Sequence, residues 1–128
     1  MIDNILIFVI IKLIMNKYFE ENKKLTYAIL AELKKLQTKE VYSGLNNRCE
    51  LLELRFETLL VSFHVSAKDY KMVKNSIRRN LTSVKTMAKD IYPNTYKEIF
   101  ANIKNLKDAL FANYDEQFLG IKPQEKDI

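Results

Sequence analysis

The sequence predicts an all-α fold, an antiparallel up-down bundle of four helices preceded by an apolar N-terminal segment. Two observations lead to this prediction. The 128 residues include only two glycines, Gly44 and Gly120, and two prolines, Pro93 and Pro123, so long stretches are free of helix breakers. Apolar residues also recur at spacings of three and four, which is the period of a helix that buries one face.

The chain divides into three parts of unequal length. A chain of this size normally forms one domain, and we expect the helical bundle to span residues 16–120. Residues 1–15 form the apolar segment before it. Residues 121–128 carry four charges and a proline, which is typical of a disordered tail.

The apolar segment admits three interpretations. Its core, Ile5 to Met15, is interrupted only by Lys12 and is shorter than the ~20 residues that cross a membrane. In the first interpretation the segment covers the end of the helical core. In the second it anchors the protein on a membrane surface with anionic headgroups. In the third it is a non-native extension, and translation begins at Met15. The sequence leaves all three open.

The first bundle helix is predicted from Asn16 to about Thr38, where apolar residues alternate with Lys and Glu. Residues 38–44 are expected to form a loop. Asn47 followed by Glu50 has the form of a capping box, so the second helix is expected to begin there.

The second helix carries the most regular pattern in the chain. One apolar stripe alternates spacings of four and three: Leu45, Cys49, Leu52, Phe56, Leu59 and Phe63. A second stripe runs beside it: Leu51, Leu54, Thr58, Val61 and Val65. A helix that is apolar over so much of its circumference is expected to lie centrally, with neighbours on two sides.

The first stripe continues in phase past Ser66 as far as Ile91, so two architectures compete. Ser66 followed by Asp69 has capping-box form, which favours a break at Ser66 and four helices of similar length. The alternative is a single helix over residues 45–92, ~70 Å long, in a three-helix protein that dimerises to cover its apolar face.

The last helix is bounded by recognisable signals. Pro93 ends the preceding helix, and Thr95 with Glu98 repeats the capping-box pattern. Apolar residues then recur at heptad spacing with added aromatic bulk, and Gly120 is a natural C-terminal stop.

The net charge of the chain is concentrated in the third helix. Residues 66–92 contain seven basic and two acidic residues, a net +5 that equals the net charge of the whole chain. At 100° per residue, five of these cations fall in one row beside the apolar face. The candidate partner- or phosphate-binding residues are Lys71, Lys74, Arg78, Arg79, Lys85 and Lys89.

Catalytic and metal chemistry find little support in the sequence. The lone histidine, His64, stands in an apolar stretch, and the lone cysteine, Cys49, lies on a core stripe. Glu50, Glu53 and Glu57 share one helix, but no Glu-x-x-His motif accompanies them, as a di-metal carboxylate bundle would require. We therefore expect no enzymatic activity, no metal and no cofactor.

These features predict a small helical protein that binds another macromolecule. The preferred function is protein–protein recognition, as in an adaptor, an immunity or neutralising protein, or a complex subunit, with a homodimer possible. The first alternative is non-specific nucleic-acid binding by the basic helix 68–89. The second is a peripheral membrane protein anchored by residues 5–15. Cysteine usage favours a cytoplasmic location, either free or peripheral to the inner face of a membrane.

Overall fold

The computed structural model describes residues 2–37, 43–62 and 65–120, with the side chains of residues 2–5, 7–17 and 43 left aside. Within this described part the protein is a bundle of four helices, which confirms the predicted fold class. They are α1 (Ile2–Lys35), α2 (Ser43–Leu60), α3 (Ala67–Ile91) and α4 (Tyr96–Tyr114). A short π-helical turn, Asp115–Leu119, continues α4.

Consecutive helices pack against each other, and α4 returns to pack against α1. The α1–α4 pair is antiparallel: Asn113 donates a 3.0 Å hydrogen bond to Asn22, and Asn102 donates one of 3.3 Å to Glu32. The core between the helices contains Ile29, Leu33, Leu52, Phe56, Tyr70, Ile77, Val84, Leu110 and Tyr114, each at most 1% exposed.

α3 begins directly after Ser66, as the capping-box pattern predicts, but α2 already ends at Leu60, so the expectation that α2 continues to Ser66 is wrong. Ser66 has extended backbone angles (φ −64°, ψ 154°), and its hydroxyl accepts a 3.1 Å hydrogen bond from the backbone N–H of Asp69. This hydroxyl satisfies one of the unpaired N–H groups at the start of α3. The single helix over residues 45–92 is therefore excluded.

The other predicted helix ends have mixed outcomes. The last residue of α3 is Ile91, directly before the Tyr92–Pro93 step, and Gly120 ends the π turn with the left-handed φ of 71°; both predictions are confirmed. Thr95 precedes α4 without a side-chain capping bond. The predicted start of α2 at Asn47 is wrong, because the helix begins one turn earlier.

The two apolar stripes of α2 have different environments. The first is core: Leu45, Cys49, Leu52, Phe56 and Leu59 are all at most 3% exposed. The second faces solvent over much of its length, with Leu51, Leu54 and Val61 exposed. α2 does pack between α1 and α3, but these neighbours cover only one of its apolar faces.

The N-terminal segment and the first predicted helix form one continuous helix of 34 residues. The prediction that a helix begins near Asn16 is therefore wrong at its start, since α1 already includes Ile2. The loop expected over residues 38–44 is wrong at Ser43 and Gly44, which belong to α2, and residues 38–42 lie outside the described residues. The expected tail at 121–128 lies outside them as well.

Candidate functional site at the basic groove between α3 and α4

The six predicted site residues occupy three different environments on α3. Lys71, Arg78, Lys85 and Lys89 are exposed and fall within about 40° of one another around α3, and Arg78 and Lys85 line a groove beside α4. Arg79 is also exposed, but it lies 100° further round the helix than Arg78, away from α4. The sixth residue, Lys74, is withdrawn from solvent.

Lys74 is held in an internal ion pair. Its Nζ lies 2.9 and 3.0 Å from the two carboxylate oxygens of Asp115, and the lysine and aspartate side chains are only 15% and 7% exposed. The same amine lies 5.9 Å from the ring centre of Tyr70 and 5.6 Å from that of Phe111. Lys74 therefore departs from the predicted solvent-facing row and joins α3 to the end of α4.

A groove of about 340 Å³ lies between α3 and α4. Its apolar floor consists of Leu81 from α3 and Phe100 and Ile103 from α4. Four cations line it: Arg78 and Lys85 on α3, and Lys104 and Lys107 on α4. Two helices thus contribute equally to a basic groove with an apolar base.

Two fixed points hold α3 and α4 on either side of the groove. At one end Lys74 bridges the helices through Asp115. At the other end the chain itself joins them, because only Tyr92 to Thr95 separate Ile91 from Tyr96. The geometry of the groove is therefore built into the bundle.

The cations of the groove outnumber the acidic groups beside it. Lys104 and Lys107 share one carboxylate, that of Asp108, at 3.3 and 3.6 Å. Asp108 is 55% exposed, and ion pairs in such positions contribute at most about 1 kcal/mol. Lys104, whose side chain is 72% exposed, therefore remains available to a ligand, whereas the Lys107 side chain is only 20% exposed at the edge of the groove.

The contribution of α4 is hidden when charge is summed along the chain. Residues 93–120 contain more acidic than basic residues, and so no basic surface is expected there. On a helical wheel, however, Glu98 lies 120° from Lys104, whereas Lys107 lies 60° and Asp108 40° from it. Sorting the charges of α4 by helix face leaves a small net positive charge on this side, from Lys97, Lys104 and Lys107 against Asp108.

The remaining candidate residues belong to the architecture or lie beyond the described part. Burial, with a smaller contribution from the carboxylate of Glu53, raises the pKa of Cys49 to about 12. Glu53 is itself directed inward and accepts a 2.6 Å hydrogen bond from Gln37. His64 lies outside the described residues. Among those that are described, no three His, Cys, Asp or Glu side chains form a group able to hold a metal ion.

No helix within the described residues is both long enough and apolar enough to span a membrane. Comparison of the chain with protein-family models finds no match, and comparisons with curated proteins and with solved structures find none either.

Proposed function

We propose that this protein is a non-enzymatic binding module that recognises an acidic, amphipathic segment of another protein in the groove between α3 and α4. The observation that carries the proposal is the pairing of four cations with an apolar floor in a groove of about 340 Å³. Such a module suits an adaptor, a neutralising protein of the immunity type, or a subunit of a larger complex.

The apolar floor favours a protein ligand over a nucleic acid. An amphipathic helix places apolar side chains at i, i+3, i+4 and i+7, and these anchors fill hydrophobic grooves. Leu81, Phe100 and Ile103 form the base of the groove, where 7%, 8% and 2% of their surfaces remain exposed to such anchors. A phosphodiester backbone offers no apolar group to fill it, although the same four cations would attract it.

The cations supply orientation and rate of association more than affinity. Rim charges of one sign steer a complementary partner and select against like-charged ones. Carboxylates that flank the apolar anchors of the ligand would meet Arg78 and Lys85 on one wall and Lys104 on the other. We therefore expect binding that weakens as salt concentration rises.

The test is a fluorescence-anisotropy titration of a labelled helical peptide with glutamates flanking a Leu/Phe stripe. The comparison ligands are a peptide of the same composition in scrambled order and a mixed-sequence DNA duplex. We expect the designed peptide to bind best, and Arg78→Glu/Lys104→Glu to weaken it at least about tenfold, a loss of about 1.4 kcal/mol. The charge-matched control Lys23→Glu/Lys24→Glu changes exposed lysines on α1, which does not line the groove.

Three results would contradict the proposal. Equal affinity for the designed and scrambled peptides would mean that the apolar floor plays no part. Unchanged binding by the double charge reversal would place the site elsewhere. Tighter binding of the duplex, with log K falling against log salt at a slope near −3.6 for four phosphate contacts, would favour the nucleic-acid alternative.

A further inference from the structure

A second groove lies between α2 and α3 and is mostly apolar. It encloses about 350 Å³, and its walls include Leu51, Leu54 and Leu59 from α2 and Val73 from α3. Leu54 is 62% exposed. Around it, Val61 and Met72 are 60% and 61% exposed. These exposed apolar side chains make the α2–α3 face the candidate for an apolar contact with another surface.

The first part of α1 reaches beyond the bundle. Three contacts set the register between α1 and α4: Tyr18 with Glu116, Asn22 with Asn113, and Glu32 with Asn102. In this antiparallel register Gly120 lies level with residues 14–15. The 13 residues 2–14 therefore continue past that level for ~20 Å at 1.5 Å per residue.

This extension is the most apolar stretch of the sequence, and its Leu6 is 57% exposed. It leaves the bundle at the end where α2 and α3 are joined, because Tyr70 near the start of α3 packs against Phe118 with ring centres 5.1 Å apart. The α2–α3 groove opens at this same end, since Ser62 and Val65 line it.

The extension and the groove also match in length. The groove runs along α2 from Leu51 to Ser62, ~16 Å of helix, against ~20 Å for the extension. α1 is moreover a direct neighbour of α2. Two copies that meet at these ends about a two-fold axis would each lay one extension along the α2–α3 face of the other.

We propose that the α2–α3 groove receives the N-terminal part of α1 from a second copy of this chain, in a reciprocal two-fold dimer. A two-fold arrangement makes the contact twice and closes the assembly without leaving either apolar surface open. Because the contact is made twice, the total buried area is twice that of a single groove. Stable interfaces commonly bury ~1,600 Å² in total. The proposal is independent of the α3–α4 groove.

Light scattering after size exclusion, on the full chain at low and high salt, tests the dimer. We expect twice the chain mass of 15.1 kDa, with no loss at high salt because the contact is apolar. Leu6→Asp, Leu54→Asp and a chain beginning at Met15 are each expected to be monomeric. Tyr27→Asp places the same charge on an exposed aromatic residue of α1, within the bundle, and is expected to remain dimeric.

Each other result would overturn the proposal. A full chain that is monomeric up to high concentration has no such interface. A dimer that survives Leu54→Asp does not use the groove, and one that survives removal of residues 1–14 does not use the extension. A monomer that binds phosphatidylglycerol vesicles through residues 1–14 would identify a lipid surface as the occupant instead.

Discussion

The hydroxyl of Tyr70 donates a 2.6 Å hydrogen bond to Oδ1 of Asp115, inside the bundle. Tyr70 is fully buried and Asp115 is 5% exposed, and the carboxylate also pairs with Lys74. The π turn that begins at Asp115 brings Phe118 onto the rings of Tyr70 and Tyr114. This cluster fixes the end of α4 against α3 and thereby one end of the basic groove.

Removing Lys74 from this cluster should be strongly destabilising. Lys74→Met leaves the buried carboxylate of Asp115 without its cation, and we expect a loss of about 3–5 kcal/mol in the free energy of unfolding. Urea unfolding followed by circular dichroism measures it. Lys104→Met, which breaks the exposed pair with Asp108, should cost at most about 1 kcal/mol. Equal losses in the two variants would show that the buried Lys74–Asp115 pair stabilises the protein no more than the exposed Lys104–Asp108 pair.

Tyr70 should make the stability of the protein dependent on alkaline pH. Burial, then the hydrogen bond and the charge of Asp115, raises the pKa of Tyr70 above its ordinary value of 10.0. The folded protein therefore holds the phenolic proton at a pH where the unfolded chain has lost it. This contribution to stability is complete below about pH 10 and declines as pH rises from there toward the folded-state pKa.

Urea unfolding at a series of pH values from 8 to 11 checks this dependence. Tyr70→Phe should unfold at lower urea concentration at every pH, but its stability should fall less steeply above about pH 10. Tyr27→Phe, at a half-exposed position, is the matched control and should follow the wild type. A Tyr70→Phe variant with the wild-type slope would contradict the assignment.

Ser66 should tolerate proline although it stands between two helices. Its φ of −64° already suits the pyrrolidine ring, so Ser66→Pro loses only the capping bond, a cost of about 1 kcal/mol that Ser66→Ala should share. Ser76→Pro, in the middle of α3, should cost about 3 kcal/mol or more. Thermal unfolding of the three variants compares them; similar large losses for both prolines would argue for a continuous helix.

Cys49 should report on opening of the core. Its thiol is fully buried, and burial raises its pKa to about 12, so little reactive thiolate exists at neutral pH. We expect a thiol reagent to label the native protein slowly, at a rate that rises with urea as the core opens. In Thr58→Cys, the added thiol at an exposed position should react at once. Rapid labelling of Cys49 in the native protein would contradict its placement in the core.

The sequence predicted the fold well because local signals and periodicity agreed. Ser66 with Asp69 marked the break between α2 and α3, and the stripe through Leu52 and Phe56 marked the core. Periodicity has no means of showing which of two apolar faces a neighbour covers, and so the exposure of Leu54 was missed.

The candidate site was predicted only in part, for reasons of tertiary structure. Lys74 shares its helix face with Arg78 and Lys85, and only the arrival of Asp115 from α4 withdraws it from solvent. Lys104 faces the groove from a stretch of chain, residues 93–120, that contains more acidic than basic residues. A basic surface built from two helices becomes visible only when both are placed side by side.

The most direct test of the central proposal is a nuclear magnetic resonance titration of the full chain with the acidic amphipathic peptide. We predict that amide and methyl shifts change first around Leu81, Phe100 and Ile103, and that Arg78→Glu/Lys104→Glu abolishes these changes. Shifts confined to the α2–α3 groove, or scattered over exposed lysines such as Lys23, would contradict recognition in the groove between α3 and α4.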